Sequence, residues 1–525
     1  MDCPRPSSSG WSRRKFLGHA AAAAALAPAR DQRPNLLVIV ADQLRYQSCG
    51  FAGDPLAQTP NLDRLATQSV IFRQATVSHP LCSPFRATLL TGKYSSSTGM
   101  VINELRLSPE HECFGHVLTR AGYRTALIGK WHLWANQLGQ HERTENGFVP
   151  PGPYRLGFND FWAAYNFNHN YYKAPYFRDS PQRLVHPGYE PDSQTSMAID
   201  FMRQAGAAGQ PFAVFLLWGP PHDPWTPDNV PAEDLAAFRQ AKFSRPSNFA
   251  ETADPYADNW ARMSPQFIEQ LPEFMRVYYA QTRSLDRALG RLMEALDQTG
   301  LAADTIVVFT SDHGELFGAH GRRAKNIFYE EAVRVPFLLR WPRRLKPGTT
   351  EACFNSPDIM PTLLGLMGLP VPRAVEGADL SGYLLGKSAR TPEAAYLQGM
   401  GTTAAWRDGS EWRALRDQRY TYAIFRADGK ELLFDRRTDP LQMRNLAGER
   451  AQRARLEHYR NKLRRWMKEH NDAFESCTWY ERNWTVDRNI VKTASGVGHN
   501  LEALKEILRK YFPERSASVW FGGRG

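Results

Sequence analysis

The stretch Cys82-Ser83-Pro84-Phe85-Arg86-Ala87-Thr88-Leu89-Leu90-Thr91-Gly92 sets a nucleophile and a permanent cation one helical turn apart. Pro84, which has no backbone N–H, suits a first helical turn, with Ser83 as the N-cap in front of it. Ala87, Thr88, Leu89 and Leu90 carry the helix on and Gly92 can end it. Cys82 is thereby predicted to lie beside a helix N-terminus, where unpaired N–H groups and the dipole favour an anion. Arg86 falls on the same side, and its planar fork suits an oxyanion. The chemistry implied is attack by a nucleophile on an anionic ester.

Other reactive side chains follow apolar runs. Asn35–Ala41 is continuously apolar, as in a parallel strand covered on both faces, and ends in Asp42-Gln43. Ala126–Gly129 delivers Lys130-Trp131-His132; two residues apart on an extended chain, Lys130 and His132 are predicted to point the same way. Phe212–Trp218 leads to Pro221-His222-Asp223-Pro224, where an imidazole titrating near neutrality could donate a proton. A helix over Phe274–Leu296 feeds the strand Thr305–Thr310, which ends in Ser311-Asp312-His313-Gly314. Asp42 and Asp312 are hard oxygen donors and His313 adds an imidazole. Calcium prefers oxygen, so His313 leaves magnesium, manganese or zinc open. Parallel order brings the four strand tips to one edge, where open α/β sheets bind ligands.

The pattern Cys-x-Pro-x-Arg-x-x-x-x-Thr-Gly resembles the signature of the type I, formylglycine-dependent sulfatases, and it is complete here. Five such matches arise by chance in a chain this long on the order of once in ten thousand. Thr59-Pro60-Asn61-Leu62-Asp63-Arg64-Leu65, Gly129-Lys130-Trp131-His132, the segment around His222, Asp358–Leu364 and Asp439-Pro440 with Asn445-Leu446 continue the likeness over about residues 34–470. It implies an α/β, alkaline-phosphatase-like fold: a large, mostly parallel sheet sandwiched by helices, with a smaller C-terminal α+β subdomain containing an antiparallel sheet. It also implies oxidation of Cys82 to formylglycine by a formylglycine-generating or anaerobic sulfatase-maturating enzyme. Catalytic roles fall to Cys82, Arg86, Lys130, His132, His222 and Lys325, and substrate contacts to Lys130, His222, Lys325 and Asn103. One divalent ion, calcium foremost with magnesium or manganese open, falls to Asp42, Gln43, Cys82, Asp312 and His313. Gln43 stands where the family commonly has a second Asp, and His313 where many members have Asn. The Asp-His form also occurs in phosphonate monoester hydrolases and choline sulfatases. The expected activity is metal-assisted hydrolysis of a sulfate ester on a carbohydrate or other small molecule. The alternatives are a phosphonate monoester or phosphodiester hydrolase and a non-catalytic anion binder with unmodified Cys82.

The chain is expected to divide into a leader (1–29), a catalytic domain (30–393), a C-terminal subdomain (394–470) and an extension (471–525). Ser12-Arg13-Arg14-Lys15-Phe16-Leu17, an alanine-rich run and Ala27-Pro28-Ala29 form a twin-arginine export pattern, predicting a bacterial periplasmic or secreted protein. The apolar run is too short to span a bilayer, so no stable membrane anchor is expected. Of the formal charge of +11, residues 1–29 contribute Arg5, Arg13, Arg14 and Lys15 against Asp2, leaving +8. A basic balance suits polyanionic substrates, and no nucleic-acid motif accompanies it. The six cysteines include no Cys-x-x-Cys pair that would suggest a cysteine-held zinc site, and their spacing assigns no disulfide. The aromatic and amide residues of Tyr165–Tyr172 are candidates for a glycan subsite. Oligomeric state is not legible.

Overall fold

Successive residues of Asn35–Ala41 (β1) face opposite cores, and all seven are buried. Leu36, Val38 and Val40 pack with Phe85, Leu89 and Leu90 of α1 (Cys82–Thr91). Leu37, Ile39 and Ala41 pack instead with α2 (Glu190–Ala207) and α3 (Pro265–Gln298). Each such aliphatic side chain contributes roughly 1.5–3 kcal/mol when fully buried. A strand without a solvent face therefore anchors the sheet.

This computed structural model describes residues 1–2, 33–135 and 138–514. The export pattern, its cleavage candidate and Cys3 lie outside the described residues. The chain divides into Met1–Arg33 and Pro34–Gly525, and every element named below belongs to the second unit.

Eight strands form the main sheet: β1, β2 (Val70–Phe72), β3 (Arg124–Lys130), β4 (Phe161–Tyr165), β5 (Phe212–Leu217), β6 (Thr305–Ser311), β7 (Phe337–Arg340) and β8 (Gly348–Thr350). Their order is β8-β2-β7-β6-β1-β5-β3-β4. β6, β1, β5, β3 and β4 pair in parallel, and β7 opposes both of its neighbours. The tips of β1, β3, β5 and β6 thus share one edge, as their sequences predict.

The helix expected from Phe274 begins nine residues earlier, at Pro265, where the Ser264 hydroxyl accepts the Phe267 N–H at 3.1 Å. Pro272 does not interrupt it. Burial of Phe267, Leu271 and Met275 on both sides of the proline outweighs its missing hydrogen bond.

A second sheet is wholly antiparallel: β9 (Ala395–Gly399), β10 (Trp412–Arg416), β11 (Tyr420–Phe425) and β12 (Glu431–Asp435). Helix α4 (Arg453–Glu469) lays Leu456, Tyr459 and Leu463 against it. Beyond α4 a small hairpin, β13 (Thr485–Val486) and β14 (Asn489–Ile490), returns to the loop that holds Arg106. There Arg106 donates its N–H to Arg488 O at 2.9 Å and a guanidinium N–H to Asn489 Oδ1 at 2.8 Å. Cys49, Cys82, Cys113, Cys353 and Cys477 are buried and free. No described helix is long and apolar enough to cross a membrane.

Candidate active site

The start of α1 differs from the sequence-based expectation in an instructive way. The helix begins at Cys82, one residue before the predicted cap, with Leu81 extended in front of it and accepting the Phe85 N–H at 2.9 Å. Ser83 does not cap; its hydroxyl donates to His132 O at 2.7 Å. Its own N–H is taken by Asn103 Oδ1 at 2.9 Å, so a side chain from outside the helix satisfies this orphan donor. Gly92 ends the helix in the left-handed region, φ 64°.

Cys82 then meets the tips of β1 and β6. Ligand atoms of Asp42, Cys82, Asp312 and His313, all buried, lie within 4.8 Å of one another. His313 Nδ1 is 3.1 Å from Gly314 O and donates to it, which leaves the Nε2 lone pair facing the cluster. That Nε2 stands 3.2 Å from Cys82 Sγ, 3.7 Å from Asp42 Oδ1 and 3.5 Å from Asp312 Oδ1. Burial holds His313 down at about 3, so the imidazole is neutral, as a ligand must be. Burial raises the Asp42 carboxyl, but Lys130, His222, Arg86 and His313 outweigh it and keep Asp42 well below the usual carboxylate range. Two carboxylates and one neutral imidazole fit a divalent cation. Gln43, at φ 69°, donates its N–H to Asp312 Oδ1 at 2.9 Å. Its amide donates to Glu315 Oε2 at 2.8 Å and accepts from Lys325 Nζ at 2.5 Å, so the oxygen faces the pocket's lysine.

Three cations surround this pair of carboxylates. One Arg86 nitrogen lies 3.3 Å from Asp42 Oδ2 and 3.3 Å from Asp312 Oδ2, and the other donates to Lys130 O. Lys130 Nζ donates to Asp42 and sits 3.0 Å from His169 Nε2. Lys325 Nζ lies 2.7 Å from His222 Nε2, and His222 Nδ1 lies 2.9 Å from Asp223 Oδ1. Burial and Lys325 lower His222, yet Asp223 and Asp42 prevail and raise it above its ordinary value.

The extended strand on which Lys130 and His132 were expected to share a direction ends at Lys130. His132 lies beyond β3 in the left-handed region, φ 54°, because the chain turns there to pass under α1. Its Nε2 reaches Glu104 Oε1 at 3.1 Å, and its ring and Lys130 Nζ both lie near Phe167, at 5.1 and 5.4 Å from that ring. Burial, Lys130 and Arg86 lower His132 well below its ordinary value, and burial pushes Glu104 up to about 8.

Three participants were not singled out by the sequence: Glu104, His169 and Asp223. Asp223 adjoins His222, so its place was available to a reader of the motif. His169 sits in the aromatic-amide stretch, and its ring lies 3.9 Å from that of His222, tilted by 30°. Glu104 carried no local signal.

A family model described as Sulfatase matches residues 34–369, and one described as N-sulphoglucosamine sulphohydrolase, C-terminal, matches residues 318–469. The chain belongs to the sulfatase family. This sulfatase is 33% identical over 458 residues to the ulvan-active sulfatase of Formosa agariphila, covering 86% of this chain and 84% of that protein. It superposes on the Bacteroides fragilis protein yidJ, named as a sulfatase, with TM-score 0.76 and 30% identity, over 87% of this chain and 99% of that one. A structure solved with its substrate, D-glucosamine-2-N,6-O-disulfate, aligns with TM-score 0.73 and 25% identity, over 84% and 99%. The sulfatase is thus a sulfuric ester hydrolase of alkaline-phosphatase-like fold.

Proposed function

We propose that the enzyme removes sulfate from a sulfated carbohydrate, through formylglycine made from Cys82 and with one divalent ion held by Asp42, Asp312 and His313. The observation that carries this reading is the seating of Cys82 Sγ among two aspartates and a neutral imidazole, with Arg86, Lys130 and Lys325 around them. The thiol stands where the oxygens of a hydrated aldehyde would stand. A bound calcium, magnesium or manganese ion, with the Gln43 amide oxygen as a further donor, would supply Lewis acidity for the sulfate ester.

Around it the chain's own residues divide the work. Arg86 fixes the two aspartates. Lys130 and Lys325 hold the sulfate oxygens, in a site too buried for water to screen them. His222 gives a proton to the departing sugar oxygen, with Asp223 sustaining its basicity. His132 accepts the remaining hydroxyl proton at position 82 through Nδ1, which has no hydrogen-bond partner among the described residues, while Glu104 holds Nε2. His169, between Lys130 and His222, meets the sulfated ring. Asn103 steadies the start of α1 by accepting the Ser83 N–H, and its amide is a further candidate contact to the substrate.

The substrate class draws on the ulvan-active relative and on the glucosamine disulfate complex. Export through the twin-arginine route to the periplasm, after modification of Cys82 by a maturating enzyme, belongs to the same proposal, as does the division at residues 29, 393 and 470. The test is a parallel assay of glucosamine sulfates, 4-nitrophenyl sulfate and an aryl phosphodiester, with the mass of the peptide holding residue 82. Sulfate release and a mass lower than the thiol form are expected. Faster phosphodiester turnover would select the phosphorus-ester reading, and a thiol in every molecule would select the anion binder.

A further inference from the structure

Against the back of the catalytic rim lies a cavity of about 580 Å³, walled by the turn after β1, the segment Glu330–Arg334 and the loops at one end of the antiparallel sheet. Its charges do not balance. Arg45, Arg334, Arg436 and Arg437 line it together with Glu330 and Glu331. Glu330 is already engaged from outside the cavity by Arg416, at 2.6 and 2.8 Å in a bidentate pair. Arg436 shares that carboxylate, its Nε 3.8 Å from Glu330 Oε1, so Arg45, Arg334 and Arg437 are left with Glu331, which already accepts from Asn248 at 2.7 Å.

Its hydrogen bonding is also incomplete. Arg45 Nε, Arg436 Nε, Gln47 Oε1, Gln74 Oε1 and Glu331 Oε2 are buried and have no hydrogen-bond partner among the described residues. Leaving one such group unmet costs about 1–3 kcal/mol, and native proteins tolerate few. Five such atoms belong to residues that line this one cavity, which favours a polar partner there. The donors call for oxyanions, which guanidinium forks bind in pairs. The amide and carboxylate oxygens call for hydroxyl donors. A molecule bearing both is a sulfated sugar chain.

The cavity is coupled to the catalytic centre by packing. A side chain at Gly314, the residue after His313, would meet Glu331 O at 1.9 Å and Arg45 Cβ at 3.2 Å. Arg45 itself follows Asp42 by three residues.

We propose that this cavity is a second, non-catalytic binding site that takes a sulfated oligosaccharide. The choice of ligand rests on the proposed function, whereas the site stands on its own charges and unmet groups. The test uses the full chain carrying Cys82→Ala, its catalytic pocket filled with excess 4-nitrophenyl sulfate, titrated calorimetrically with a sulfated dextran hexasaccharide and its unsulfated counterpart. Only the sulfated sugar is expected to bind. The double substitution Arg45→Gln with Arg437→Gln should weaken it roughly tenfold or more by removing charge-assisted contacts. Gln74→Glu, which adds a negative charge to the rim, should do the same and guards against misfolding of the double variant. Unchanged affinity in both, or equal binding of unsulfated dextran, overturns the proposal. Failure of glucosamine sulfate hydrolysis with this binding intact would instead strike the functional reading alone.

Discussion

Both sheets bury arginine against carboxylate, and they do so in opposite ways. In the antiparallel sheet Arg413, on β10, forms a bidentate pair with Asp472 at 2.5 and 2.7 Å, with both side chains fully buried. Tyr396 and Gln398 complete the shell around that aspartate. Each charge has its own partner, and nothing is left to offer a ligand. At the rim of the main sheet, Arg86, Lys130 and Lys325 crowd two aspartates, and Asp42 alone accepts from both Arg86 and Lys130. Matched pairs lock a structure, whereas shared charges keep groups poised for an incoming anion and cation. Only the second arrangement can do chemistry.

Two substitutions separate these regimes by the largest margin. Cys82→Ala should lower kcat on sulfate esters by on the order of 10³ or more, since it removes the nucleophile. The midpoint of urea unfolding should stay near that of the parent, because no ion pair is broken. Asp472→Ala should do the reverse: stability falls by about 3–5 kcal/mol, the cost of stranding a buried guanidinium, while kcat per folded molecule holds. Loss of turnover without loss of stability in the Asp472 variant would erase the distinction.

Next in size is His169→Ala, expected to lower kcat/KM roughly tenfold to hundredfold, with less effect on small aryl sulfates than on sugar sulfates. Equal loss on both would make His169 a support for Lys130 and His222 and no contact of the sugar.

How far the sequence foretold these places depends on the range of the interactions. The strands before Asp42, Lys130, His222 and Asp312 were legible because a strand buried on both faces must be continuously apolar. The antiparallel sheet of the smaller subdomain was expected from the family likeness. Ser83 misled because capping was read locally, whereas Asn103 and His132 O competed for it from elsewhere in the fold. Glu104 was invisible for the same reason. Its backbone oxygen is held at 3.0 Å by Arg488, from the extension that yielded no motif, and no local pattern encodes a contact 384 residues long.

A smaller effect tests how a shared charge tunes a proton donor. His222 lies above its ordinary value because Asp223 and Asp42 overcome burial and Lys325. A group raised in this way stays protonated below its folded value and loses the proton as pH rises through it, so it should set the alkaline limb of kcat/KM. Asp223→Asn removes one raising charge and should move that limb to lower pH, with rates at pH 8 down about threefold to tenfold and rates at pH 6 little changed.

The smallest effect belongs to Glu104, a buried carboxyl whose oxygens meet no lysine or arginine side chain among the described residues. Burial raises it to about 8, although Arg488 and Lys130 pull the other way. At pH 7 it is therefore mostly a neutral acid, and its carbonyl oxygen can still accept from His132 Nε2. Glu104→Gln keeps that acceptor, so kcat near pH 7 should fall only about twofold to threefold. Above pH 8 the parent enzyme gains a carboxylate able to stabilise an imidazolium at His132, and the glutamine variant does not. The ratio of the two rates should therefore widen as pH rises from 7 to 9. A constant ratio across that range would mean that Glu104 orients His132 without lending it charge, and the rim would then hold one matched, purely positional pair of the kind found in the antiparallel sheet.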